Sequence, residues 1–199
     1  QYGIRDPLGG VAGWSEVYMN ASLESYLKGY NDPRIKSYFN LAQDGRDKEG
    51  NIIKEVAGVK QLNSIEGEYK GVRQGTGVAD NRYSTHSQTA ITTGSKIIVM
   101  SAAEVWFLRA EAALRNYTSE NVENCYKQGI TVSFAQWDAS GVSEYLESEE
   151  TPAAYVDAFD KKFDADAPTS ITPKWDESAP LELKLERIIT QKWLAIYPE

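Results

Sequence analysis

The sequence predicts a mainly α-helical fold, built from tetratricopeptide-like helix pairs with an irregular, partly β insertion. Three observations carry this. The stretch 101–117, SAAEVWFLRAEAALRNY, and the ENCYKQGITVSFAQW after it read as two consecutive helices, the first apolar on nearly every side. Residues 181–197 show the same two-sided pattern. Such helices need neighbours on both sides, as in a helical stack. Between residues 40 and 99 no helical period is visible, and an irregular segment that long in a compact domain is often functional.

Taken in order, residues 1–14 contain Pro7, Gly9, Gly10 and Gly13 and read as loop. A helix is expected from Glu16 to Lys28, where Val17, Leu23, Tyr26 and Leu27 share a face and Gly29 provides a stop. Asn31-Asp32-Pro33-Arg34 turns the chain, and Ile35, Tyr38 and Phe39 suggest one or two more helical turns. Gln43–Asn51 is a polar turn cluster, and Ile52–Val56 reads as a strand. Gly67, Gly71, Gly75, Gly77 and Gly94 punctuate the rest of the irregular segment.

Ser101 and Glu104 form a capping box at the start of the helix Ser101–Tyr117. Glu104, Glu111 and Arg115 make a narrow charged stripe opposite Trp106, Phe107, Ala110, Ala113 and Leu114. Arg109 falls between apolar patches and is expected to be a buried structural pin held by a carboxylate or carbonyls. The next helix, Ser119–Trp137, centres its packed face on Gly129 and Ser133, small residues that let another helix approach. The two helices form an αα-hairpin of about 37 residues, near a tetratricopeptide unit in length, although the repeat consensus is not matched. Residues 138–180 are polar and acidic, with a short helix expected near Ala153–Phe163. The last helix, Leu181–Tyr197, lines one face with Leu185, Ile188, Ile189, Trp193 and Ile196, and another with Leu183 and Leu194.

The 199 residues suffice for one domain with a sizeable core, and the net charge of -8 argues against a broad basic surface for nucleic acid or anionic lipid. Tyr, at 12 residues against 5 Trp and 5 Phe, favours half-wet surfaces and packing between helices. The chain lacks an initiator Met, a signal peptide and a lipid-attachment cysteine, and reads as a piece of a longer protein.

Catalytic constellations are missing. A single histidine, His86, argues against a histidine metal site, and neither H-E-x-x-H, G-x-S-x-G nor C-x-x-C occurs. Gly71–Gly77 lacks the Lys-Ser/Thr of a phosphate cradle. Cys125 reads as a small core residue. Asp157, Asp160, Asp164 and Asp166 read as a solvated face, and Asn20 and Asn116 open glycosylation sequons on helices. No enzyme activity, metal or cofactor is therefore expected. The constructive signal is for binding. Tyr69, Arg73, Arg82, Tyr83 and His86 combine aromatic faces with hydrogen-bond donors on an irregular segment, as a sugar or peptide site requires. The same residues could equally serve to fold the loop on its own scaffold.

The segments AAEVWFLRAEAALRNY, YKQGITVSFAQW and ITQKWLAIYPE together resemble the SusD/RagB family, in particular its SusD-like subgroup. SLESYLKGYNDPRIKSYF and YKGVRQGTG resemble earlier family segments in the same order. This resemblance implies part of a single SusD-like domain over 1–199, with helical scaffold at 15–39, 101–137 and 181–197 and the insertion at 40–100. It further implies a lipid-anchored protein of the outer-membrane surface that binds oligosaccharide or oligopeptide and acts as a hinged lid on a SusC-like TonB-dependent transporter. Ligand residues vary within the family, so none is carried over. A helical-repeat scaffold that binds only proteins is the alternative; a glycan-processing enzyme would need a carboxylate pair in a cleft, and none can be nominated.

Overall fold

The computed structural model describes residues 17–77 and 81–198, together with Gly10. The expected loop 1–14, Gly10 apart, and Glu16 lie outside the described residues. Among the described residues, six helices carry the fold: α1 (Ala21–Gly29), α2 (Ile35–Tyr38), α3 (Ala102–Leu114), α4 (Val122–Gln136), α5 (Val142–Leu146) and α6 (Leu181–Ala195). The strands β1 (Glu55–Val56) and β2 (Val59–Lys60) form a small antiparallel hairpin in the insertion.

Helix starts follow their caps. Asn20 Oδ1 accepts from Leu23 N at 2.8 Å, so α1 begins at Ala21 and the expected helical turn before it is extended chain. Ser101 Oγ accepts from Glu104 N at 3.1 Å and Asn121 Oδ1 from Asn124 N at 2.8 Å. The sequon residues thus flank helices: Asn20 is a cap, and Asn116 follows α3 with φ 59°. The helix expected at Ala153–Phe163 does not form. That segment is extended, bridges Tyr155 to Ala165 and holds only a 3-10 turn at Lys161–Phe163. Buried hydrogen bonds from its backbone to the Asp157 carboxylate replace helical ones.

The hairpin α3–α4 is the closest helix pair, and α6 packs against α3. Gly129 makes the approach possible: a Cβ there would lie 2.8 Å from the Phe107 ring. Phe107, Tyr126, Ile130, Phe134, Ile188 and Leu194 are fully or almost fully buried in the resulting core, and Cys125 joins them. The burial expected on both sides of α3 does not occur within the described residues. Val105 and Leu108 on α3, and Leu183, Ile189 and Trp193 on α6, remain substantially exposed.

The internal arginine pin is Arg34, not Arg109. Arg109 is part-exposed, lies 3.8 Å over the Trp106 ring and donates to Glu120 across the helix junction. Its neighbouring helical residues leave that flank open, so the guanidinium finds a surface carboxylate. Arg34 has no exposure at all. Its Nε donates to Asp32 Oδ1 at 2.9 Å, Nη1 to Ser133 Oγ at 2.8 Å and Nη2 towards Gln191 Oε1 at 3.5 Å. The guanidinium lies over the rings of Phe134 and Tyr145. One side chain therefore joins the α1–α2 turn to α4, α5 and α6. Tyr38 OH adds a bond to Leu194 O at 3.0 Å, and burial pushes its phenol up to about 12.

Removing one member of a buried, hydrogen-bonded ion pair leaves the other charge uncompensated. Arg34→Met is expected to lower unfolding free energy by about 3–5 kcal/mol in denaturant titrations. Gly129→Ala is expected to destabilise by about 1–3 kcal/mol despite its better helix propensity, because the methyl meets Phe107.

Candidate functional site

The insertion folds around a second, smaller core of Ala42, Val56, Ile65, Tyr83, Ala158 and Phe159. An electrostatic clasp ties it to α1. Glu24 accepts from Lys70 Nζ at 2.6 Å and from Gly71 N at 2.7 Å, with Glu24 and Lys70 both buried. Lys70 also lies 4.2 Å over the Tyr155 ring. Burial pulls the Lys70 ammonium below its ordinary range, and the Glu24 charge offsets part of that.

Asp157, expected on a solvated face, has no exposure. Its Oδ1 accepts from Phe159 N and Asp160 N, and its Oδ2 lies 3.0 Å from Tyr155 OH and 3.3 Å from Tyr83 OH. Burial and the Asp157 charge push the Tyr83 phenol upward. The periodic spacing of acidic residues concealed this role, because it depends on Tyr83, distant in sequence.

The five sequence-predicted residues do not converge on one opening. Tyr69 is half-buried against the helical core. Arg73 is exposed and donates to Phe163 O at 3.1 Å and Asp164 O at 2.9 Å. Arg82 is half-buried, and its charge acts on Tyr83 and Asp160. Tyr83 is buried edge-on to His86, with ring centroids 5.0 Å apart. His86 is buried and stacked on Phe159 at 5.9 Å.

Only His86 of these lines a cleft of about 260 Å³ at the insertion's edge. Its other walls are Asn40, Leu41, Gln43, Ser84, Thr85 and Gln88. Apart from the His86 imidazole, the polar side chains are amides and hydroxyls, which both donate and accept hydrogen bonds, and none is a carboxylate or an ammonium. Thr85 Oγ1 is buried with no hydrogen-bond partner among the described residues. Such a lining suits a neutral, hydroxyl-rich ligand rather than an ion. Sequence reasoning missed Asn40, Gln43, Thr85 and Gln88. The available signal is the polar run Ser84-Thr85-His86-Ser87-Gln88.

Among the described residues no cluster of His, Cys, Asp or Glu could hold a metal ion, and no helix is long and apolar enough to cross a membrane.

A family model described as SusD-like, SusD and RagB outer membrane lipoprotein, matches residues 4–199. No curated protein matches the chain. Among solved structures, a SusD homologue from Bacteroides vulgatus is 39% identical over 100% of this chain and 38% of its own, with a TM-score of 0.82. A chitin-binding SusD homologue from Flavobacterium johnsoniae is 34% identical over 100% of this chain and 38% of its own, with a TM-score of 0.81. A SusD-like protein from Bacteroides thetaiotaomicron is 34% identical over 98% of this chain and 38% of its own, with a TM-score of 0.78. The chain thus spans well under half the length of these relatives.

Burial, reinforced by the Lys70 charge, pulls the His86 imidazole from its ordinary 6.5 down to about 3. The unfolded chain therefore takes up this proton first. The stability associated with neutral His86 is complete above pH 6.5 and is lost as the pH falls towards 3. Denaturant titrations between these limits should show stability declining by up to about 1.4 kcal/mol per pH unit, with the decline reduced in His86→Phe.

Proposed function

The chain belongs to the SusD-like family of outer membrane lipoproteins, and from that premise we propose that the complete protein captures oligosaccharide at the outer-membrane surface and passes it to a SusC-like TonB-dependent transporter. The observation that carries the ligand class is the cleft beside His86, with its amide and hydroxyl walls. Side chains that both donate and accept match the hydroxyls of a sugar, whichever way each hydroxyl points. The chitin-binding relative at 34% identity supports a saccharide over a peptide. We read the chain as part of a single SusD-like domain, in which the helices form a frame and the insertion carries the contacts.

In this reading the five predicted residues divide the work. His86 and Tyr83 shape the cleft from beneath, held by Phe159 and Asp157. Arg73 and Arg82 clasp the insertion to the 157–164 segment. Tyr69 anchors it on the helical core. The protein supplies binding and positioning, and no reaction is assigned to it.

Calorimetry of the complete protein with panels of neutral oligosaccharides and oligopeptides tests this proposal. Saccharide binding is expected, and Thr85→Val and Gln88→Ala should each weaken it about 5- to 30-fold, as loss of a hydrogen bond worth about 1–2 kcal/mol implies. Binding of peptides alone, or saccharide affinity unchanged by both substitutions, would overturn it. Co-purification with a TonB-dependent transporter tests the hand-over.

A further inference from the structure

A second cleft, of about 480 Å³, lies where the 171–177 segment meets α6, remote in sequence from the insertion. Its walls are Thr172, Trp175, the cations Lys174 and Arg187, and the carboxylates Glu149, Asp176 and Glu177. Two tyrosines fix the segment: Tyr30 OH donates to Ile171 O at 2.8 Å and Tyr126 OH to Pro173 O at 2.6 Å. These bonds bracket Thr172 and hold it in place. Trp175 packs on the Tyr126 ring at 5.1 Å, and its Nε1 donates to Glu177 Oε2 at 2.9 Å. The indole is thus locked rather than free to rotate.

Most charges around this cleft are already compensated. Lys174 pairs with Glu149 at 2.8 Å, and Lys184 pairs with Glu177 at 3.0 Å. Asp176 Oδ1 accepts from Ser178 N and Oγ, capping its own turn. Arg187 acts through its charge on Asp176, yet two of its donors lack hydrogen-bond acceptors among the described residues. It is 8% exposed, and these two donors, Nε and Nη1, are buried. Arg34, the other deeply buried arginine, has a full set of acceptors. A buried guanidinium stays costly until an anion or several strong acceptors reach it. Planar carboxylates match its donors better than a single hydroxyl does.

We infer that this cleft is a second ligand site, in which Arg187 binds the carboxylate of an acidic sugar residue beside Thr172 and the locked face of Trp175. The inference rests on the saccharide reading of the protein and extends it to uronic acids. Arg187 supplies the charge, Thr172 a hydroxyl for the ring substituents, and Trp175 an apolar wall for the sugar's C–H face.

The test is calorimetry of the complete protein with trigalacturonate, its fully methyl-esterified form and a neutral oligosaccharide. Trigalacturonate should bind at least tenfold more tightly than the ester, and Arg187→Gln should remove that difference, with thermal melts confirming that the variant is folded. The ester comparison needs no variant, so a misfolded Arg187→Gln does not stop the test. Equal binding of acid and ester overturns the inference. So does a structure of the complete protein in which a carboxylate of its own chain sits on Arg187. Neutral saccharide binding without acid binding sinks this inference and leaves the saccharide reading intact. If no saccharide of either kind binds, both fail.

Discussion

The buried ion pair between Arg34 and Asp32 is the constraint on which the helical frame depends. Both side chains are wholly removed from solvent, so their desolvation must be offset by geometry alone. The offset comes from partners on three other helices: Ser133 and Phe134 on α4, Tyr145 on α5 and Gln191 on α6. Gln191 in turn donates to Tyr145 OH at 2.9 Å, so the network closes on itself. A rival packing of these helices would have to bury the same guanidinium with fewer acceptors. The network thus stabilises one arrangement over its competitors as much as it stabilises the folded state over the unfolded.

Upon that frame the insertion is held by a different kind of contact. Its backbone pairs with the extended chain before α1, as in Val72 N to Met19 O at 2.8 Å, and the Glu24 carboxylate reaches both Lys70 and Gly71. Gly71 is required there, because a Cβ would lie 2.6 Å from Asn20 O. Beyond this seam the insertion relies on its own small core and on Asp157, a loop carboxylate that organises four hydrogen-bonding groups. Binding surfaces built on irregular chain need such local rigidity, since no regular ladder of backbone bonds provides it.

Helices α1, α2, α3, α4 and α6 were legible in the sequence to within a few residues, because caps and 3.6-residue spacing are local signals, whereas the short α5 was not foreseen. Ser101, the small pair Gly129 and Ser133, and the break after Phe39 all express that grammar. What could not be read was which arginine is buried. Arg109 sits in an apolar stretch but on a flank open to solvent, whereas Arg34 follows a Pro in a turn and is buried only because three distant helices close over it. The Ala153–Phe163 segment misled for a related reason: its helical composition yields to the Asp157 bonds and to pairing with Ala165. At the candidate cleft, Tyr83 turns inward, His86 borders the opening from a buried position, and amides and hydroxyls make up most of the other walls, a placement that depends on how the insertion packs and not on residue type.

The two hydrophobic cores have no buried residue in common. The two regions meet along backbone and side-chain bonds, such as Glu24 to Lys70, Ala90 N to Tyr38 O and Thr89 to Tyr197, rather than through a shared core. The insertion's small core can therefore be repacked with little effect on the packing of α3, α4 and α6. Lineages of this protein should diverge fastest at positions such as Asn40, Gln43 and Gln88 and slowest at Asp32, Arg34 and Gly129.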